Sequence, residues 1–210
     1  QVLMQTFSAI DDARDETRLT FFEFGTLAAM YLMHQYQVDV AIFEVGLGGR
    51  LDAVNILDAH LAHITPIGLD HQDWLGDTRE LIGYEKAGIL RENGLAVYND
   101  SDPTNAITQQ LDDKNVHSAV YLTDYEYRWL DDQKVEWTSG NLKVTVKPPL
   151  SGEHQALNIS GVLAGLNLMG YLGGLSEQEI SSRFDGVKCL GRLQQLETSL
   201  SAEVWIDVGH

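Results

Sequence analysis

Val40-Ala41-Ile42-Phe43-Glu44-Val45-Gly46-Leu47-Gly48-Gly49-Arg50-Leu51-Asp52 is the stretch that decides the fold class. The apolar run 39–45 is closed by glycine and reads as a buried parallel strand, covered on both faces. It delivers a carboxylate, Glu44, near its C-terminal end, and a glycine-rich turn follows at once. In open α/β sheets ligands sit beyond that end of the strands. Glycines there let the backbone approach a phosphate or a ring closely. The spacing is not that of a dinucleotide fingerprint: Gly46 and Gly48 fit, but Leu51 stands at the third glycine position. A tight strand-to-loop turn with a solvated Glu44 is the competing reading of the same residues.

Toward the C-terminus, His63 to Ile67 repeats the strand style more weakly and runs into Gly68-Leu69-Asp70-His71 and Asp73-Trp74-Leu75-Gly76. Asp77-Thr78-Arg79-Glu80 looks like a helix start, with Asp77 at the N-cap and Glu80 at N3. It predicts a helix over 78–90 that stops near Asn93-Gly94. A strand over 95–99 and a helix over 106–112 follow. Toward the N-terminus, Thr20 and Glu23 form a capping box that predicts a helix over 21–36. The polar residues 8–18 read as a loop.

Beyond residue 120 the pattern alternates. Segments 125–130, 134–138 and 142–147, with Ser139-Gly140-Asn141 as a turn, predict a small antiparallel hairpin region. Pro148-Pro149 breaks the chain. Helices over 153–172 and 176–184 and a last strand over 204–207 complete the reading. The fold class is α/β, a mainly parallel sheet flanked by helices, with the hairpin set attached. Phe21, Phe22, Tyr31 and Trp74 read as core.

Composition narrows the function classes. The chain has 210 residues and a net charge of -17, which argues against nucleic-acid binding. An anionic ligand must therefore meet local cations, a metal or backbone N–H groups. No apolar run is long enough to span a membrane, and the first residues do not read as a signal peptide. The single cysteine, Cys189, excludes a disulfide framework and reads as a packing residue. A cytoplasmic protein with no membrane partner is the expectation.

Three segments carry chemistry. Glu44, at the C-terminal end of one expected strand, and His71, just after the end of another, pair a carboxylate with an imidazole as ligands for a divalent cation. Mg²⁺ takes few protein ligands and completes its shell with water and phosphate. Histidine is an uncommon Mg²⁺ ligand, so Mn²⁺ is a substitute. A hydrogen-bonded structural histidine is the other reading. Lys86, in Glu85-Lys86-Ala87-Gly88-Ile89, sits on the helix after the histidine loop; a solvated surface lysine is its alternative. The neighbours Glu85 and Lys86 do not face each other on a helix. Near the C-terminus lie His154-Gln155 with Asn158, then Gly191-Arg192-Leu193, then Asp207-Val208-Gly209-His210.

In this order the segments resemble the dihydrofolate synthase/folylpolyglutamate synthase family of the Mur ligase superfamily. The Glu44 to Asp52 run with Asn55, Gly68 to His71, Leu75-Gly76 with Thr78, Glu85 to Ile89, His154-Gln155 with Asn158, and Gly191 to Leu193 carry the likeness. Phe22-Glu23-Phe24 with Thr26 belongs to it too.

The resemblance implies an ATP-dependent amide-forming ligase. Such enzymes phosphorylate a pterin-linked carboxylate with ATP, and the amine of L-glutamate attacks the acyl phosphate. By similarity, Glu44 and His71 hold the metal beside the γ-phosphate. Lys86 is the lysine that relatives carbamylate, and Lys86 and His71 are the catalytic candidates. Asp52 lies at the pterin pocket. Asn158, Arg192 and Asp207 contact the nucleotide, with Arg192 near phosphate and Asp207 near ribose. ATP, dihydropteroate or folate, and L-glutamate are the small-molecule partners implied, with a monomer when intact.

The chain departs from the family pattern. No Gly-Lys-Ser or Gly-Lys-Thr phosphate loop occurs in it. The ending Asp-Val-Gly-His differs from the usual Asp-Gly-Ala-His. Residues 1–190 therefore read as the central ATPase-type domain without its N-terminal phosphate loop, and 191–210 as the start of a truncated C-terminal domain. A chain so truncated is expected to be inactive alone. A cell-wall Mur ligase and a non-catalytic scaffold retaining the fold are the other readings.

Overall fold

Helix α2, Phe21–Gln35, begins where its sequence says it should. The Thr20 hydroxyl accepts from the Glu23 amide at 3.2 Å, and the Glu23 carboxylate accepts from the Thr20 amide at 2.7 Å. The Thr20 amide first, and then the Thr20 hydroxyl, which also donates to that carboxylate at 2.8 Å, hold the Glu23 carboxyl below its ordinary range. The computed structural model describes residues 1–150, 152–187, 191, 194–196 and 202–207. They form two compact units, Gln1–Ala59 with Leu69–Ile89, and His60–Gly68 with Leu90–His210.

In the first unit the expected loop over 8–18 is replaced by helix α1, Val2–Arg14. Thr6 and Ile10, one turn apart, are buried, and Phe7 meets the Phe24 ring edge-on at 5.7 Å. Packing on α2 outweighs the polar composition, since most helical stability comes from a packed face rather than propensity.

Residues 39–45 correct the central expectation. They form no strand, and Val40 and Ile42 are 69% and 86% exposed. A strand exists only with a hydrogen-bonded neighbour, and among the described residues none pairs with this run. The aromatic expectation also fails: Phe21 and Trp74 are 97% and 79% exposed, and Phe22 and Tyr31 are exposed too. Helix α2 buries its small residues Thr26 and Ala28 instead.

Helix α3, Gln72–Leu75, is a single turn. Helix α4, Arg79–Ala87, is capped by Thr78 rather than Asp77. Thr78 is extended and its hydroxyl accepts from the Leu81 amide at 3.2 Å. The helix ends at Gly88 rather than running on to residue 90.

The second unit holds a parallel sheet in the order β1-β2-β3, from Ala62–Ile64, Leu95–Tyr98 and His117–Val120. Ala62 pairs with Ala96, and Leu95 with His117. Helix α5, Asn105–Asp113, connects the last two strands and buries Ile107 and Leu111. An antiparallel sheet follows, β4-β5-β6, from Glu126–Trp129, Val135–Ser139 and Leu142–Val146. Gly140, at φ 57°, makes its β5–β6 turn.

Helix α6, Glu153–Leu168, packs against both sheets. Its Ala156, Ile159, Leu163 and Ala164 join Val97, Tyr125, Val135, Trp137, Val144 and Val146 in one core. Tyr121 belongs to it, and burial first, then the Tyr127 ring beside it, pushes its phenol up to about 12. Helix α7, Glu177–Ser182, carries a second capping box, Ser176 with Glu179. Strands β7, Gln194–Leu196, and β8, Val204–Ile206, pair antiparallel.

Candidate active site

The glycine-rich turn is closed by Asp52. Its Oδ2 accepts from the amides of Gly46 at 3.0 Å and Leu47 at 3.2 Å, while Oδ1 accepts from Val54 at 3.0 Å. That last bond also caps the 3₁₀ turn Ala53–Ile56. One short side chain thus gathers three backbone donors, which a loop of this curvature would otherwise leave to water. The sequence reading put Asp52 at a ligand pocket. The structure shows both of its oxygens occupied in holding the loop's shape.

The loop is then fastened to the last turn of α4. The Arg50 amide donates to the Glu85 carbonyl at 2.8 Å, and its guanidinium Nη2 reaches the Glu85 carboxylate at 2.9 Å. The Asn55 side-chain Nδ2 donates to the carbonyls of Arg50 and Gly88, both at 3.1 Å. Two glycines permit the contact. A Cβ on Gly49 would stand 2.9 Å from the Glu85 carbonyl, and one on Gly88 would collide with Arg50. Glu85 therefore serves a partner 35 residues away in sequence, which helix spacing alone does not reveal.

Lys86 follows on the same turn and is half-buried. His71 has φ 52° and ψ 37°, left-handed, at the start of α3. Its amide donates to Asp70 Oδ1 at 2.7 Å, and its side chain is 58% exposed with Nε2 at 3.7 Å from Asp70 Oδ2. Glu44 is exposed and makes no hydrogen bond or ion pair among the described residues. Among these residues no three His, Cys, Asp or Glu side chains converge on one cation position. A carboxylate and an imidazole form a sparse donor set, chemically suited to Mg²⁺ or Mn²⁺ that takes the rest of its shell from phosphate and water.

The same unit has a cleft of about 450 Å³ lined by Met30, Met33, His34, Val38, Phe43 and Leu57. Glu44, Asp52, His71 and Lys86 do not line it.

In the second unit, Asn158 is exposed on the first turns of α6. Its amide donates to Gln155 Oε1 at 3.2 Å, and Gln155 Nε2 lies 2.9 Å from His154 Nε2, so the three polar residues form a row. Asp207 is exposed just after β8. Arg192, Cys189 and His210 lie outside the described residues.

Residues 3–166 match the Mur ligase middle domain. The chain belongs to the Mur ligase family. Among relatives of this family, the dihydrofolate synthase/folylpolyglutamate synthase of Haemophilus influenzae is 41% identical over 92% of this chain and 43% of its own length. The protein of the same description from Escherichia coli is 38% identical over 98% of this chain and 47% of its own. The solved structure of E. coli FolC in complex with DHPP and ADP superposes with a TM-score of 0.88 at 36% identity, over all of this chain and 49% of that one. The bifunctional Yersinia pestis enzyme, complexed with AMPPNP and Mn ion, gives a TM-score of 0.86 at 34% identity, over 100% of this chain and 49% of that one. The chain thus spans about half the length of the Mur ligase relatives it matches. No helix among the described residues is long and apolar enough to cross a membrane.

Proposed function

We propose that this chain belongs to an ATP-dependent ligase that adds L-glutamate to dihydropteroate, to reduced folates, or to both, through an acyl phosphate. The superposition on a relative bound to DHPP and ADP, over the whole of this chain, carries the reading. Residues 1–190 act as the central ATPase-type domain and 191–210 open the next. The ligase works as a cytoplasmic monomer.

Both the acceptor carboxylate and ATP are anions, so the phosphoryl group moves only when charge is neutralised in a fixed geometry. Glu44 and His71 hold Mg²⁺ or Mn²⁺, which supplies that neutralisation when bound. Lys86, carbamylated, adds an anion beside it, and the Arg50–Glu85 contact sets the turn from which Lys86 projects. Asp52 keeps the glycine turn in the shape that faces the pterin. Asn158, Arg192 and Asp207 hold the nucleotide.

The test is ATP-dependent transfer of L-glutamate by the full gene product, with dihydropteroate and a reduced folate as acceptors side by side. Turnover with either is expected, and Glu44→Gln is expected to reduce it sharply. A folded product that turns over neither acceptor overturns the folate assignment. Near-native turnover by Glu44→Gln removes Glu44 from the metal site.

A further inference from the structure

The core of the second unit contains a polar chain among apolar residues. Asn99, directly after β2, is fully buried. Its Oδ1 accepts from the Tyr125 hydroxyl at 2.8 Å, and its Nδ2 donates to the Leu157 carbonyl at 2.9 Å. The Ser160 hydroxyl also donates to that carbonyl, at 3.0 Å. Leu157 is the residue before Asn158. The contact is possible because α6 carries glycine at 161. A Cβ there would stand 2.6 Å from Asn99 Nδ2 and 2.8 Å from His63 Nε2.

A buried amide is costly unless both its donor and its acceptor are satisfied. A helix wall could be packed on this sheet with apolar side chains alone, as Leu163 and Ala164 do further along. Apolar contacts are non-directional and tolerate a shift along or about the helix axis. The Asn99 bond does not, because it ends on one carbonyl of one helical turn. Tyr125 fixes the amide from the other side, so the amide cannot turn to follow a displaced helix. Among the described residues, the side chain of Asn158 is held only by Gln155, a neighbour on its own helix.

We infer that Asn99 is a positioning residue for the nucleotide: held by Tyr125, it locks the first turns of α6 in register and so sets where Asn158 presents its amide. This rests on the proposal above that Asn158 contacts the nucleotide. Asn99 touches no ligand and acts through the Leu157 carbonyl.

The test uses the full gene product and reads the dissociation constant of ADP with Mg²⁺, alongside the thermal midpoint. Asn99→Ala is expected to weaken ADP roughly tenfold, the equivalent of about 1.4 kcal/mol. Tyr125→Phe, which keeps the ring and loses one hydroxyl, is expected to give a smaller loss of the same sign. It also serves if Asn99→Ala does not fold. The deciding readout is the double-mutant cycle with Asn158→Ala. Once Asn158 is gone, Asn99→Ala or Tyr125→Phe is expected to leave ADP affinity unchanged, although the thermal midpoint still falls. Additive losses of affinity, or unchanged ADP affinity in the single variants while Asn158→Ala weakens it, overturn the positioning role alone. If Asn158→Ala leaves ADP affinity unchanged, the nucleotide assignment of Asn158 falls, and this inference falls with it.

Discussion

Arg50 and Glu85 are joined twice, once through the backbone at 2.8 Å and once through a guanidinium–carboxylate pair at 2.9 Å. The hydrogen bond and then the charge of Glu85 raise the Arg50 guanidinium above its ordinary value, so Arg50 keeps its charge at any working pH. The double connection makes the glycine-rich turn and the end of α4 one mechanical piece. Loop geometry and the placement of Lys86 are then coupled.

Gly88→Ala tests that coupling. The added Cβ has no room against Arg50. The backbone of Gly88 is ordinary right-handed helix, so the cost is steric alone. Overpacking of this kind is expected to cost about 1–3 kcal/mol. It should also free the Arg50 amide to exchange faster with solvent. An unchanged urea midpoint together with unchanged exchange at Arg50 would show that the loop is not fastened there.

Thr78→Ala addresses the start of the same helix. The hydroxyl satisfies the Leu81 amide, one of the donors that a helix start leaves open. Its loss is expected to cost about 1 kcal/mol. Asp77→Ala should cost much less, because Asp77 is not the cap. The reverse order in chemical denaturation would return the cap to Asp77.

His63 gives a pH dependence. Burial lowers its pKa below the ordinary value of 6.5, and among the described residues its Nε2 has no hydrogen-bond partner. As pH falls through about 6.5 the unfolded chain takes up a proton that the folded one resists, so stability declines toward acid. For one proton the slope does not exceed about 1.4 kcal/mol per pH unit. The carboxyls of Glu136 and Glu177 are held below 4.5, chiefly by hydrogen bonds from Arg128 and Thr145, so their loss comes in a more acid window. Unfolding free energy measured between about pH 7.5 and 5.5 isolates the histidine. His63→Leu is expected to flatten the curve there, and an unflattened curve would mean another group titrates.

Trp137 is the largest fully buried side chain of the second unit, on the central strand of the antiparallel sheet. It lies 6.3 Å from the Tyr125 ring and contacts the core beneath α6. Trp137→Ala is expected to cost about 3–5 kcal/mol, enough to unfold a marginal domain. A loss below about 1 kcal/mol would mean that the site collapses around the cavity.

What could be read from the chain without its fold was local. The capping boxes at Thr20 and Ser176 set their helix starts, since the bonds span three residues. The alternation over 125–147 marked the hairpins, because side chains in a strand change face at every residue. The ordered motifs around Glu44, His71, Lys86 and Asn158 identified the family, which the match over residues 3–166 bears out. Strand β3 escaped notice because His117-Ser118-Ala119-Val120 is short and opens on a polar residue. The run 39–45 has strand composition without being a strand, since a strand is a relation between two segments.

The tertiary structure alone decided which polar groups serve the scaffold. Asp52 is occupied by three backbone amides, Glu85 pairs with Arg50, and Asn99 joins Tyr125 to the Leu157 carbonyl. In sequence each of these is an ordinary polar residue near a motif. Their partners stand up to 58 positions away, and hydrogen bonding depends on separation in space. Local spacing therefore sufficed for the starts of α2 and α7, the hairpins and the family, while α1, the cap of α4 and the division of polar residues between scaffold and site had to wait for the chain to fold.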